Sequence, residues 1–205
     1  RWGRGTWGLL WLTLASLVFY GLGEPFFVAL LVVSIVANYA IGALVVRPAL
    51  PDAARAAAFW AGIAFNVGLI GVFKYADFLL GTGAALGLWH HAALQIALPL
   101  GISFFTFQQI AWLADLKARP HAGLPSFRDY ALFISFFPQL VAGPIVHWGE
   151  IGTQIRAIAE RARGRERVEL DLSVGLSLFA VGLFKKLVLA DGSAAIATPV
   201  FDGAK

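Results

Sequence analysis

Long apolar stretches separated by short polar segments run through this chain. A helix that crosses a bilayer needs about 20 mostly apolar residues. The pattern predicts four such helices, the first of them short for a full crossing: Trp7 to Leu22, Phe26 to Val46, Ala56 to Phe73, and Ile96 to Ala114. A further apolar stretch, Leu172 to Leu189, carries Lys185 and Lys186, which we expect to reach toward the headgroups. The predicted fold class is therefore an all-α membrane protein, a multi-span helical bundle.

The composition agrees with this interpretation. Hydrophobic residues make up 59% of the 205 residues and charged residues only 14%, against about 25% charged in soluble domains. Without an internal repeat or a low-complexity linker, residues 1–205 are expected to form a single integral membrane domain. No cysteine is present, so neither a disulfide nor a thiolate metal site exists within this sequence.

The chain is basic, with a pI near 9.7, but its basic residues lie between the apolar spans. Lys and Arg are retained in cytoplasmic loops, so the charge indicates orientation and not nucleic acid as a partner. The residues expected on the cytoplasmic side are Arg1, Arg4, Arg47, Arg55, Lys117, Arg119 and Arg128. Glu24 and the segment 74–95 would then lie outside, with Lys74 as the exception to the rule.

Residues 136–146 read FFPQLVAGPIV and place three helix breakers within an apolar run. A helix that stops at Pro138 and turns at Gly143 and Pro144 would return to the side it came from, which keeps the next arginines cytoplasmic. Broken backbone at membrane depth is tolerated only inside protein or beside a water-filled cavity, so this re-entrant segment would line a polar cavity. A continuous helix with a proline kink is the alternative.

The next segment, 154–171, interleaves five arginines with four acidic residues and has a partial apolar stripe. It is interpreted as a cytoplasmic surface helix or loop. Contact with anionic lipid headgroups is one role for its arginines, and a solvated charged face is the more usual one.

Several polar residues lie inside the apolar stretches, and hydrogen bonding between helices is their default role. They are Asn38, Asn66, Ser103, Thr106, Gln108, Gln109 and Gln139. Ser103, Thr106 and Gln109 recur every three residues. That face is expected to look into the bundle, together with Gln108 and toward the same cavity as Gln139.

Motifs that carry chemistry on their own are absent. The histidines are His90, His91, His121 and His147, none at metal-ligand spacing from another ligand. The sequence has no G-x-S-x-G nucleophile motif and no phosphate-binding G-x-x-x-x-G-K-[ST] loop. No catalytic residue, cofactor-binding residue or metal ligand is therefore assigned within this chain.

Six segments nevertheless resemble, in order and rough spacing, the membrane-bound O-acyltransferase family and its bacterial branch that acetylates alginate. They are ASLVFYGLGEPFF at 15–27, NYAIG at 38–42, GVFKYADF at 71–78, LPLGISFFTFQQIAWLADL at 98–116, FFPQLVAGPIV at 136–146 and GLFKKLVLAD at 182–191. Each is weak alone, but the fourth and fifth together are fairly specific. The resemblance covers most of the chain.

The resemblance implies a multi-pass protein of the bacterial inner membrane that transfers an acyl group, acetyl in particular, to hydroxyls of a cell-surface polysaccharide or exopolysaccharide such as alginate. It implies no bound cofactor, with a thioester or acetyl-CoA-derived donor as co-substrate. The implied partners are membrane lipid, the acyl donor or an acyl carrier protein, and the polysaccharide acceptor or periplasmic acetylation proteins. An essential histidine in a GLWHGA-like segment would act as general base.

In the family, that histidine follows the GLFKKLVLAD-like segment. GLWHHA at 87–92 looks similar but precedes LPLGISFF, so we interpret it as coincidence and Trp89 as an interfacial anchor. No catalytic role is transferred to His147.

Because methionine is absent even at position 1, the chain is expected to be a fragment. The resemblance implies that it is the N-terminal part of a longer protein, with the catalytic half missing. Two alternatives remain open: a transporter or channel-like protein, since broken helices also build substrate pathways, and a catalytically inactive export or assembly partner.

Overall fold

The computed structural model describes residues 4–23, 25–88, 94, 96–140, 143–164 and 172–203. Every regular element within these ranges is helical, which confirms the all-α class. The chain divides into two compact units, Arg1–Glu166 and Arg167–Lys205. Among the described residues, three helices are long and apolar enough to cross a membrane: Pro25–Val45, Asp52–Ala85 and Leu172–Asp202. The single domain over 1–205 stays a prediction.

The first two helices lie where the apolar pattern predicts them. Helix α1 is Arg4–Gly23, and its apolar part from Trp7 is shorter than a usual span. A 3₁₀ turn at Pro25–Phe27 leads into α2, Val28–Val45. Proline suits this position because the first residues of a helix need no N–H partner.

The third helix is longer than predicted. Helix α3, Asp52–Ile70, continues through a π-helical turn at Gly71–Tyr75 into α4, Ala76–Ala85. The apolar pattern predicted an end at Phe73, directly before Lys74. The π turn admits one extra residue without ending the helix, so the chain stays helical for 34 residues.

The fourth span was predicted to begin too early. Residues 96–99 are not helical, and α5 is Ile102–Ala118. Gly101 adopts a φ of +69°, which is open to glycine at little steric penalty. A side chain there would also meet the carbonyl oxygen of Leu140, 2.6 Å from the position of an added Cβ. The helix therefore starts after this glycine and, with 17 residues, is not among the three long apolar helices.

Helix α5 is the centre of the first unit. Its residues Phe105, Trp112 and Leu113 are at most 1% exposed, and α5 packs against α2, α3 and α6. The approach is closest at glycines of the neighbouring helices: an added Cβ on Gly42 would lie 2.3 Å from the Trp112 ring, and one on Gly62 would lie 2.7 Å from Leu113. Small residues allow this close contact between membrane helices.

The apolar run after α5 is broken, as predicted. Helix α6, Phe127–Ser135, is capped by the Ser126 hydroxyl, which accepts a hydrogen bond from the Asp129 amide at 3.3 Å. The chain leaves helical geometry at Phe136, with ψ at 106°. One turn follows, α7 at Phe137–Leu140, and then α8, Trp148–Gly164.

The broken segment returns to the end of α5 from which it started. It leaves α5 at Ala118 and reaches the other end at Leu140, whose carbonyl adjoins Gly101. It comes back at His147, whose Nδ1 lies 3.1 Å from the carboxylate of Asp115. Residues 102 and 115 are separated by about 20 Å along a helix. The re-entrant interpretation is thereby confirmed within the bundle, and a continuous kinked helix is excluded.

We expect Arg128 and Arg156 to lie on one side of the membrane, because the segment between them enters and leaves at the same end of α5. The test is to place a single cysteine at either position and to label intact vesicles with an impermeant maleimide. Leu86→Cys, after α4, is the control expected on the opposite side. Labelling of positions 128 and 156 from opposite sides would contradict the re-entrant arrangement.

The described part of the second unit, residues 172–203, is one long helix with a π-helical turn in its middle. Helix α9, Leu172–Phe184, continues through Lys185–Ala190 into α10, Asp191–Asp202. Lys186 Nζ lies 2.6 Å from the Asp191 carboxylate, five residues further on. A wider turn favours this pairing, since residues five apart do not face each other on a regular α-helix. The predicted span Leu172 to Leu189 is thus part of a 31-residue helix.

Candidate functional site

A network of buried amides joins three helices of the first unit. The Asn38 Nδ2 group donates to Gln109 Oε1 and, at 3.2 Å, to Asn66 Oδ1. Asn66 Nδ2 donates in return to Asn38 Oδ1 at 2.6 Å. The Ser34 hydroxyl donates to the same Gln109 oxygen at 2.8 Å. All four side chains are at most 1% exposed, so this polar cluster is sealed inside the bundle.

The network confirms the expected hydrogen bonding between helices for Asn38, Asn66 and Gln109. Gln108 plays the same role on the other side of α5, where its Nε2 donates to the Phe133 carbonyl at 3.0 Å. Thr106 is also buried, as expected for this face. The hydrogen-bonded amides reduce the penalty of keeping polar atoms in an apolar interior, whereas the Thr106 hydroxyl has no hydrogen-bond partner among the described residues.

Gln139 lies apart from this network, contrary to the expectation that it faces the same cavity. Its side-chain Nε2 donates to the Pro144 carbonyl at 3.1 Å, and its main-chain carbonyl accepts from the Gly143 amide at 2.9 Å. An added Cβ on Gly143 would lie 2.6 Å from the Gln139 side chain. These two hydrogen bonds satisfy the Gly143 amide and the carbonyls of Gln139 and Pro144 within the turn, as membrane depth requires.

The polar cavity predicted beside the broken segment lies at its end and not along its turn. It has a volume of about 670 Å³ and separates the C-terminal end of α5 from the first turns of α8. Its polar and aromatic walls include Asp115, Arg119, His147, Trp148, Glu150 and Arg156. The re-entrant path creates this cavity, because it brings residue 147 back to residue 115.

His147 and Asp115, which both line the cavity, are in direct side-chain contact. His147 Nδ1 lies 3.1 and 3.2 Å from the two Asp115 oxygens. The Asp115 side chain is 33% exposed and that of His147 is 62% exposed. With Nδ1–H donating to the carboxylate, Nε2 is left to accept a proton or to bind a ligand. Thirty-two residues separate the pair, so sequence spacing gave no signal for it.

The other histidines considered in the sequence are His121, His90 and His91. His121 lies in a 3₁₀ turn at Pro120–Ala122 and is exposed. His90 and His91, with most of GLWHHA, lie outside the described residues. Within the described ranges no three side chains of His, Asp or Glu cluster as a metal site would require.

Comparison with known proteins relates nearly the whole chain to O-acetyltransferases. It is 40% identical to the peptidoglycan O-acetyltransferase of Helicobacter pylori over 95% of this chain and 41% of that protein. It is 30% identical to the probable alginate O-acetylase AlgI of Pseudomonas aeruginosa over 94% of this chain and 36% of that protein. The match to AlgI of Pseudomonas syringae pv. tomato is 29% identical with the same two shares.

These matches confirm the resemblance inferred from the six sequence segments. The chain spans about two fifths of the length of the curated relatives it matches. No family model matches the chain, and no solved structure gives a significant match.

Proposed function

We propose that this chain, which belongs to the membrane-bound O-acyltransferase family, is part of an enzyme that transfers an acetyl group to hydroxyls of a cell-surface polysaccharide. The observation that carries the proposal is the 40% identity to a peptidoglycan O-acetyltransferase over 95% of the chain. The alginate O-acetylases support the same chemistry with a second polysaccharide acceptor. Peptidoglycan and an exopolysaccharide such as alginate are therefore the acceptor classes to test.

In this proposal the described helices are a scaffold and the general base lies in another part of the protein. The base would remove the proton of the acceptor hydroxyl, whose oxygen attacks the acyl carbonyl of the donor. The thiolate of a thioester donor then leaves and takes up a proton. The packed α5 and the closed turn at Gln139–Pro144 would hold the surrounding membrane helices in fixed positions, which such proximity catalysis needs.

The location and partners follow from the same proposal. The protein would be a multi-pass protein of the bacterial inner membrane, in contact with lipid. It would take its acyl group from an acetyl-CoA-derived donor or an acyl carrier protein and bind no permanent cofactor. Periplasmic acetylation proteins would act with it on the polysaccharide. None of the three reported relatives is named as a transporter, so no observation favours that alternative.

The test is acetyl incorporation into polysaccharide by cells that carry the complete protein. We expect His90→Ala and His91→Ala to leave incorporation nearly unchanged, because GLWHHA is not placed as the active site. Replacing a histidine in a GLWHGA-like segment elsewhere in the protein should lower incorporation by about 100-fold or more, as loss of a general base does.

All variants are compared at matched membrane expression. A severe loss from either His90→Ala or His91→Ala would overturn this placement of the active site. Absence of any acetyl incorporation by the unmodified protein, on both peptidoglycan and exopolysaccharide, would overturn the proposed function itself.

A further inference from the structure

We propose that the cavity between α5 and α8 binds a phosphoryl group, held between Arg119 and Arg156. The proposal does not depend on acyl transfer, because it is carried by the charges, donors and volume of this cavity alone. At about 670 Å³, the cavity has room for a phosphate together with part of the molecule that bears it.

Two arginines from different elements line the cavity. Arg119 directly follows α5 and is exposed, and its Nη1 lies 3.9 Å from the position of an added Cβ on Gly149. Arg156 is half-buried, with its guanidinium carbon 5.5 Å from the centre of the Trp148 ring. Contact with an aromatic face holds a guanidinium in place while its N–H groups remain able to bind. Paired guanidinium groups are the arrangement that recognises phosphate.

Neutral donors supplement these charges. The first turn of α8 lines the cavity at Trp148, Gly149 and Glu150. The Glu150 amide donates to the His147 carbonyl at 3.1 Å. The first amides of a helix, here those of Trp148 and Gly149, have no partner within the helix. Trp112 forms part of the inner wall and is 1% exposed. Its indole N–H has no hydrogen-bond partner among the described residues. A buried donor without a partner is costly, but this nitrogen is closed to solvent and is not counted among the donors for a ligand in the cavity.

The two carboxylates of the cavity differ in their effect. Asp115 is engaged by His147 through the 3.1 Å contact, so this carboxylate already has a hydrogen-bond partner other than the arginines. Glu150 has no such histidine contact and lies in the first turn of α8. Its charge opposes an anion. The proposal therefore makes predictions of opposite sign for the arginines and for Glu150.

Such a phosphoryl group has two possible sources, the headgroup of an anionic phospholipid and a phosphate-bearing soluble molecule. The cavity lies at the end of α5 that also carries Lys117 and, by the positive-inside rule, faces the cytoplasm. Both sources are present there. The shared chemistry is a phosphate oxygen bound by guanidinium and amide N–H groups, and the experiment separates the sources.

We expect radiolabelled inorganic phosphate to bind the purified complete protein in detergent, measured by equilibrium dialysis at low salt. Arg119→Gln and Arg156→Gln should each weaken binding about tenfold, as loss of a charge-assisted hydrogen bond does. Glu150→Gln should strengthen it. Arg47→Gln is the matched control, since Arg47 lies at the same end of the bundle and does not line the cavity.

The second arm places the same variants in bilayers of phosphatidylcholine with or without phosphatidylglycerol and measures retained phosphatidylglycerol after purification. If the arginines matter for phosphate binding alone, the ligand is a soluble molecule. If they matter for phosphatidylglycerol retention alone, the ligand is a lipid headgroup. Both results support the site. If Arg119→Gln and Arg156→Gln match Arg47→Gln in both arms, the proposal is wrong. A variant that elutes as aggregate is replaced by Arg119→Lys or Arg156→Lys, which keeps the charge but loses the guanidinium fork and should bind phosphate more weakly than the unmodified protein. Acetyl incorporation is measured separately for the same variants, because the phosphate site and the proposed acetyl transfer are independent proposals.

Discussion

Gly42→Ala is expected to destabilise the bundle by about 3 kcal/mol, at the upper end of overpacking effects. An added Cβ at this position would lie 2.3 Å from Cη2 of Trp112 and 2.9 Å from Leu116. The indole cannot move aside, because it packs against the rings of Tyr39 and Tyr130, with centroid distances of 6.4 and 4.1 Å. Helices α2 and α5 would have to separate.

The measurement is the midpoint of thermal unfolding in one detergent, followed by the loss of the monodisperse chromatographic peak. Gly68→Ala in α3 is the matched control, since nothing lies within 4 Å of its added Cβ. There the better helix propensity of alanine should stabilise by up to about 1 kcal/mol. Combining Gly42→Ala with Trp112→Leu should relieve part of the clash. Equal midpoints for the two alanine variants would contradict the close packing described.

Helix bounds could be predicted where apolar length decides them, and not where local geometry does. The second span was predicted as Phe26 to Val46 and is observed at Pro25–Val45. The third was cut short at Phe73, because a π turn is not marked by any apolar period. The start of α5 depends on the approach of Leu140 to Gly101, a contact between residues far apart in the sequence.

The re-entrant segment was predictable because two independent signals agreed. Three breakers weakened a continuous helix, and the arginines beyond them belonged on the side of Arg128. The point of the break, at Phe136, lies two residues before the proline that signals it. The break precedes the proline because α7 packs against α1, where the Phe137 amide donates to the Ser16 hydroxyl at 3.4 Å.

The cavity could not be predicted in the same way. Its chemistry depends on the contact of Asp115 with His147, which exists only because the chain reverses between them. His147 alone carried no metal-ligand or nucleophile pattern, and Arg119 and Arg156 were interpreted only as cytoplasmic charges. Pairings across helices follow from tertiary packing, whereas sequence periods report only which face of one helix is apolar.

The hydrogen-bond partners of the buried amides could not be predicted from the sequence either. Asn38 was expected to bond another helix, but its partners Asn66 and Gln109 follow from the packing of α2, α3 and α5. Asn38→Leu, which keeps the approximate shape of the side chain, is expected to destabilise by about 2 kcal/mol. It removes the donor to Gln109 and leaves Asn66 Oδ1 buried without its partner.

The sharper measurement is the double variant Asn38→Leu with Asn66→Leu, followed by the same thermal midpoint. Removing both partners of a buried hydrogen bond avoids the penalty of an unsatisfied group, so the double variant should be at least as stable as Asn38→Leu alone. Gln109 keeps an acceptor role toward the Ser34 hydroxyl in both cases. Independent roles for the two asparagines would instead make their destabilisations add, and that outcome would contradict a shared network.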